Sequence, residues 1–319
     1  HGDAQDDQYR TGRRHPRVMK RIAPEDYPLL KPYFAAQPYG LCTYSLPSLI
    51  VWNNHVFQTS YLLENGRVVV ANDCRCRPEE SHLLLPIQSE GLPLPEELAS
   101  LAARTGYRRY ESVPEDYLEH IGRDRVGDCF TIHARPEYDD YVYLTEDLSR
   151  LRGNRYAKKR NLLHQFTREY LQPGRVATGV ITAADVPECL ECLEKWCEIR
   201  KCDVDQDLSM ACEKEAAVNA LHHLDVLEMP GLLVRIDGEV CAFCISSYLR
   251  PDMGVMNFEK ALPHIRGLYQ YLDNECARRL FSGYRYINKE SDMGIPSLAE
   301  SKHSYHPVFK IRAYRLECK

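Results

Sequence analysis

Three carboxylates stand where acyl transfer would need a base. Glu259 lies in Asn257-Phe-Glu-Lys260, and Glu290 and Asp292 lie in Asn288-Lys-Glu-Ser-Asp-Met-Gly294. A carboxylate withdrawn from bulk water takes a proton from an attacking amine or hydroxyl. Lys302, Ser304 and Tyr305 follow closely, and a phenol or ammonium there could return a proton to a leaving group. The catalytic candidates are therefore Glu259, Glu290, Asp292 and Tyr305. Each motif also has a plainer explanation: pairing of Glu259 with Lys260 or Arg266, turn chemistry for Asp292, strand-edge solubility for Lys302.

Other residues point to anions. Arg150, Arg152, Arg155, Lys158, Lys159, Arg160, Arg168 and Arg175 crowd one segment with only Glu169 against them. Most such runs are solvated faces. Helical stepping of about 100° per residue, however, sets Lys159 within the stripe of Tyr156, Leu163, Phe166 and Tyr170, with Arg160 at its edge. A lysine on an apolar stripe snorkels, pairs or faces a ligand, so Lys159 and Arg160 are expected to contact a polyanion or carboxylate. Further on, a helix opening at His264-Ile-Arg-Gly267 would aim free N–H groups and Arg266 at a phosphate or carboxylate; a solvated helix start is the alternative. Asn161, Lys260, Asn288, Lys302 and Ser304 complete the expected binding set.

Elements must hold these residues in place. Alternation from Leu41 to Ile87 predicts a meander of antiparallel strands, with Asn65-Gly66 turning between 58–63 and 67–72. Helices are expected at 96–105 and near 115–121, and strands at 107–111 and 129–134. A second group reads as helix 155–171, strand 175–182, helices 184–201 and 213–227, then strands 232–236, 239–249 and 254–260 joined by tight turns. Helix 267–280, strand 284–288, helix 296–302 and strand 308–315 close the chain. Alternation in the third of those strands sets Asn257 and Glu259 on one face and Phe258 on the other. This order is that of the GNAT (N-acetyltransferase-like) fold, an α/β (α+β) class of mostly antiparallel mixed sheets flanked by helices. The expected division is a flexible stretch 1–20, a lobe 21–150 and a lobe 151–319.

At 319 residues, 44% hydrophobic and 27% charged, the chain has the composition of a globular protein. Its apolar runs are too short to cross a bilayer, and a net charge of −5 excludes a surface broadly coated for nucleic acid. Thirteen cysteines without a secretory signal imply a reducing, cytoplasmic setting. Cys241 and Cys244 fall on opposite faces of a strand, and Cys189 and Cys192 share a helix face with Trp196 and Ile199. Neither pair chelates, so no metal is expected.

The run Tyr141-Val-Tyr-Leu-Thr-Glu-Asp-Leu-Ser-Arg-Leu-Arg-Gly-Asn-Arg-Tyr-Ala-Lys-Lys-Arg-Asn161 resembles the signature of the phosphatidylglycerol lysyltransferase C-terminal-domain family. Phe258-Glu-Lys-Ala261, Ile287-Asn-Lys-Glu-Ser-Asp-Met-Gly294 and Ser301-Lys-His-Ser-Tyr-His-Pro307 are similar to its remaining motifs. The resemblance runs from about Pro24 to the C-terminus. It implies two tandem GNAT-like lobes and kinship with Fem-type transferases, which take an aminoacyl group from charged tRNA. The lysyltransferases carry a membrane domain that delivers lipid; this sequence contains no such segment, which turns the expectation away from a lipid acceptor. The usual acetyl-CoA loop is met only at its glycine, Gly267, and bulky Tyr269 would crowd a pyrophosphate.

The leading expectation is an acyl- or aminoacyltransferase with acyl-CoA or aminoacyl-tRNA as donor, no required cofactor, and a small amine or hydroxyl acceptor. The competing one is a non-catalytic GNAT-fold module that binds an anionic metabolite or RNA.

Overall fold

The computed structural model describes residues 19–88, 90–200 and 208–319. Residues 1–18 of the expected flexible stretch lie outside it, while Lys20 already pairs in a strand.

The first sheet holds β1 (Lys20–Arg21), β2 (Phe57–Glu64), β3 (Arg67–Cys74), β4 (His82–Leu83), β5 (Ile87–Gln88), β6 (Arg109–Pro114) and β7 (Phe130–Ala134). Asn65 and Gly66, with φ of 50° and 75°, make the predicted hairpin, a turn that requires left-handed backbone at both positions. Helices α1 (Tyr27–Ala35), α2 (Leu46–Val51), α3 (Pro95–Thr105), α4 (Glu115–Ile121) and α5 (Arg123–Cys129) accompany these strands. The stretch from Leu46 to Val51, expected as strand, is instead a helix with every residue buried. A short run apolar all round carries no periodicity to separate the two.

The second sheet holds β8 (Asp140–Leu144), β9 (Val176–Val180), β10 (Gly231–Ile236), β11 (Glu239–Arg250), β12 (Met253–Ala261), β13 (Tyr286–Asn288) and β14 (Phe309–Ile311), in the order β14-β8-β13-β12-β11-β10-β9. Its helices are α6 (Thr145–Arg150), α7 (Ala157–Phe166), α8 (Val186–Arg200), α9 (Leu208–His222), α10 (Leu268–Arg279) and α11 (Pro296–His303). The strand expected at 308–315 divides: β14 stays here, and β15 (Ala313–Cys318) crosses to the first sheet between β6 and β7. In return β8, which precedes residue 150, enters the second sheet. The sheets therefore exchange strands across the expected boundary.

One continuous hydrophobic core underlies both sheets. Polar fasteners add to it: Gln37 donates to the Leu249 carbonyl at 3.0 Å, and the Ser45 and Ser247 hydroxyls lie 2.8 Å apart. The first lobe thus backs the second sheet at the point where its strands separate.

Candidate functional site: a charged wedge between two strands

β12 and β13 run parallel through only three pairs, ending at Val255 and Asn288. β12 continues to Ala261, while the other chain bends away through Glu290, whose φ of +59° is left-handed. A register shift against β11 makes Asn257 an extra residue. Such a bulge re-aims side chains. Asn257 donates to Ser48 Oγ at 2.8 Å, on the α2 side where Phe258 stacks on Trp52, and Glu259 faces α10. The expectation that Asn257 and Glu259 share a face is corrected by that inserted residue.

On the α10 side, Lys289 Nζ donates to Glu259 Oε2 at 2.9 Å and to Asp273 Oδ1 at 2.5 Å. Burial opposes the Lys289 charge, but Asp273 and Glu259 outweigh it and hold the ammonium well above its usual range. Glu259 is pushed up to about 7 by burial and then by the negative charge of Asp273, against the pull of Lys289. Two carboxylates share one close ammonium, so the last proton stays until near neutrality.

Tyr305 closes this cluster. Its ring has Lys159 Nζ 3.7 Å and Lys289 Nζ 5.3 Å from its centre. Its backbone is held by Tyr156, whose hydroxyl donates to the Tyr305 carbonyl at 3.2 Å. Burial, with Asp273 behind it, raises the phenol well above its ordinary value, and the hydroxyl lies beside Asp273 without making a hydrogen bond. Lys159 comes from α7, half-buried, with its pKa lowered by burial. Six buried side-chain polar atoms lack a hydrogen-bond partner among the described residues, and Glu259 Oε1, Tyr305 Oη and Asn257 Oδ1 are three of them. Natural proteins rarely leave such atoms unpaired, so their concentration around one gap needs an explanation.

On the opposite side, Asp140 accepts the Cys42 N–H at 2.6 Å and Asn288 Nδ2 at 2.8 Å. Asn288 also donates to the Gly40 carbonyl at 3.0 Å and is fully buried. It fastens the lobes together and is not exposed to a substrate. Glu290 is raised to about 8 by burial, which the positive charge of Lys302 only partly offsets. Lys302 reaches the carbonyls of Lys289 and Glu290, so it braces the bend; burial and the nearby Lys289 lower its pKa.

Several expected residues serve elsewhere. Arg160 donates to the carbonyls of Leu151 at 2.5 Å and Gly153 at 2.6 Å, capping α6 instead of meeting an anion. Lys260 is buried over the Trp196 ring at 4.0 Å and pairs with Glu213. Asp292 accepts from the Tyr141 hydroxyl at 2.5 Å and from the Gly294 N–H at 2.9 Å, outside the cluster around Glu259. Ser304 donates to the Ser301 carbonyl at 2.6 Å, Asn161 is exposed, and so is Arg266. Gly267 has φ +84°, and a Cβ there would sit 2.3 Å from the Leu162 carbonyl oxygen. It lets α10 meet α7 closely, and α7 covers the helix start that was expected to take a phosphate.

Lys289 and Asp273 were not among the expected site residues. Lys289 stood inside a motif whose neighbouring acids drew attention. Asp273 had a readable signal: it interrupts the buried positions Leu268, Leu272 and Cys276 of α10. Among the described residues no group of three or more His, Cys, Asp or Glu could hold a metal ion, and no helix is long and apolar enough to cross a membrane.

Two mixed sheets flanked by helices, the second parted around an acid–lysine–tyrosine cluster, make a tandem GNAT-like fold. Residues 90–317 match the family described as phosphatidylglycerol lysyltransferase, C-terminal, and the chain belongs to that family. The chain is similar to a crystallised conserved protein of unknown function from Bacteroides thetaiotaomicron, with 25% identity and a TM-score of 0.85 over 94% of this chain and 99% of that one. It shares its fold with the C-terminal domain of an Agrobacterium fabrum protein assigned as a lysylphosphatidylglycerol synthetase, at 14% identity, TM-score 0.60, and 92% and 91% coverage. An uncharacterized protein of Mycoplasmoides gallisepticum is 26% identical over 175 residues, 55% of this chain and 54% of that protein; the chain thus matches about half the length of this curated relative.

Proposed function

We propose that the chain transfers an activated acyl group, from aminoacyl-tRNA or acyl-CoA, to an amine or hydroxyl acceptor held in the wedge. The observation that carries this is Glu259. Its pKa is near 7, one carboxylate oxygen is bonded to Lys289, the other is buried and unbonded, and an unbonded phenol lies in the same cluster. Glu259 Oε1 takes the proton of the acceptor as its nitrogen or oxygen attacks the acyl carbonyl. Lys159 and Lys289 stabilise the oxyanion that develops, and the Tyr305 hydroxyl gives its proton to the departing oxygen or sulfur.

The wedge supports an aminoacyl-tRNA donor better than acyl-CoA. A pyrophosphate needs open backbone N–H groups, and here α7 covers Gly267 while the Tyr269 hydroxyl accepts from Trp196 at 2.8 Å. A non-catalytic module is the second reading, favoured by the close engagement of Lys289 with two carboxylates. Mass spectrometry after incubation with charged tRNA or acyl-CoA and a panel of amines and alcohols separates the two. Transfer predicts an acylated acceptor; retention of donor without product identifies the binding module.

A further inference from the structure

A second recess, of about 460 Å³, lies away from the wedge between α7 and α10. Its origin is local. Gly267 brings the start of α10 against Leu162, but residues 167–171 widen into a π-turn in which the Gln172 N–H reaches back to the Thr167 carbonyl at 2.8 Å. Leu163, Thr167 and Leu171, four residues apart, therefore face a matching stripe of α10 across a gap where helix surfaces ordinarily interdigitate. Such π-turns are frequent at functional sites.

The walls have complementary chemistry. Arg278 and Arg279, with side chains 60% and 48% exposed, meet Glu275 at 3.3 and 2.9 Å. Glu275 is itself buried and Arg279 also donates to the Thr178 carbonyl at 3.3 Å, but one carboxylate faces two guanidinium groups, so a positive charge remains on this wall for an anionic ligand group. Asn274 spends its amide N–H groups on the carbonyls of Leu148 and Ser149, at 2.9 and 2.8 Å, which leaves its carbonyl oxygen as the acceptor on this wall. Tyr271 is stacked on Phe166 at 4.8 Å with its hydroxyl taken by Thr178, so it contributes an apolar surface beside Leu163 and Leu171.

We propose that this recess is a binding site for a free α-amino acid with an aliphatic side chain. The carboxylate meets Arg278 and Arg279, the ammonium meets Glu275 and the Asn274 carbonyl oxygen, and the side chain lies on Leu163, Leu171 and Tyr271. A plain anion would leave the Asn274 carbonyl oxygen unused, and a plain amine would leave the surplus positive charge of the two arginines unmet. The inference does not depend on transfer activity.

Calorimetry on the full chain with L-leucine, isovalerate and isoamylamine tests it. Leucine is expected to saturate, with each one-charge analogue about tenfold weaker or more, the cost of losing one charge-assisted contact. The double variant R278Q/R279Q, at exposed positions, should lose leucine by a similar factor, while R168Q on the neighbouring turn should not. Absence of saturable leucine binding, isovalerate binding as tightly as leucine, or leucine affinity unmoved in R278Q/R279Q would each overturn the proposal.

Discussion

Each sheet contains a parallel strand pair that ends early, and the two gaps are filled in opposite ways. In the first lobe β4 and β6 touch at the single pair Leu83–Tyr110, and the chain beyond is Leu84, Leu85 and Ile87, all fully buried. The tyrosine hydroxyls there are satisfied: that of Tyr44 accepts the Leu85 N–H at 3.2 Å, and those of Tyr39 and Tyr110 donate to backbone carbonyls. In the second lobe the gap between β12 and β13 holds Glu259, Asp273, Lys289, Lys159 and Tyr305, with buried polar atoms left open. The same architecture thus yields an apolar seam in one lobe and a charged one in the other. Apolar filling serves stability; unpaired polar filling sacrifices some of it for chemistry.

The largest expected effect comes from E259Q. Loss of the general base lowers acyl transfer by about 10²–10⁴-fold in a single-turnover assay. Thermal unfolding should show no destabilisation. Glu259 has a folded pKa of about 7 against an ordinary 4.5, so its contribution favours folding fully below 4.5 and is lost as pH rises through 7. E259Q, which never ionises, should flatten that decline. K289M strips the ammonium from two buried carboxylates and is expected to cost about 3–5 kcal/mol in denaturant unfolding. L84A, in the apolar seam, should cost about 2–5 kcal/mol through the cavity it leaves, with transfer per folded molecule unchanged; lost activity in the folded variant would erase the contrast between the lobes. Among the variants expected to lose stability, the smallest cost is that of Y305F. Because the hydroxyl makes only a loose contact with Asp273, unfolding should move by less than about 1 kcal/mol while transfer falls tenfold or more.

Much of the fold could be read where its causes are local. The hairpin at Asn65-Gly66, the left-handed stop of α3 at Gly106, and the run of β10, β11 and β12 all follow from turn chemistry and periodicity. The exchange of β8 and β15 could not be read that way. Their pairings join residues far apart in sequence, and alternation is identical in either sheet. The site divides likewise. Helical spacing alone turns Lys159 inward, and the strand pattern brings Glu259 to the gap. Arg160 shared the helix but stands at the stripe's edge, within reach of the α6 carbonyls, a tertiary contact without a local signature. Asn288 and Lys289 are adjacent, yet one fastens the lobes and the other carries charge into the wedge, because the strand ends between them.

The pH dependence of transfer in wild type and E259Q, measured under single-turnover conditions, bears most directly on the role given to the second gap. The wild-type rate should climb with an inflection near 7 as Glu259 loses its proton. That inflection should vanish in E259Q. An unaltered profile and rate in E259Q would contradict the assignment of Glu259 as the base.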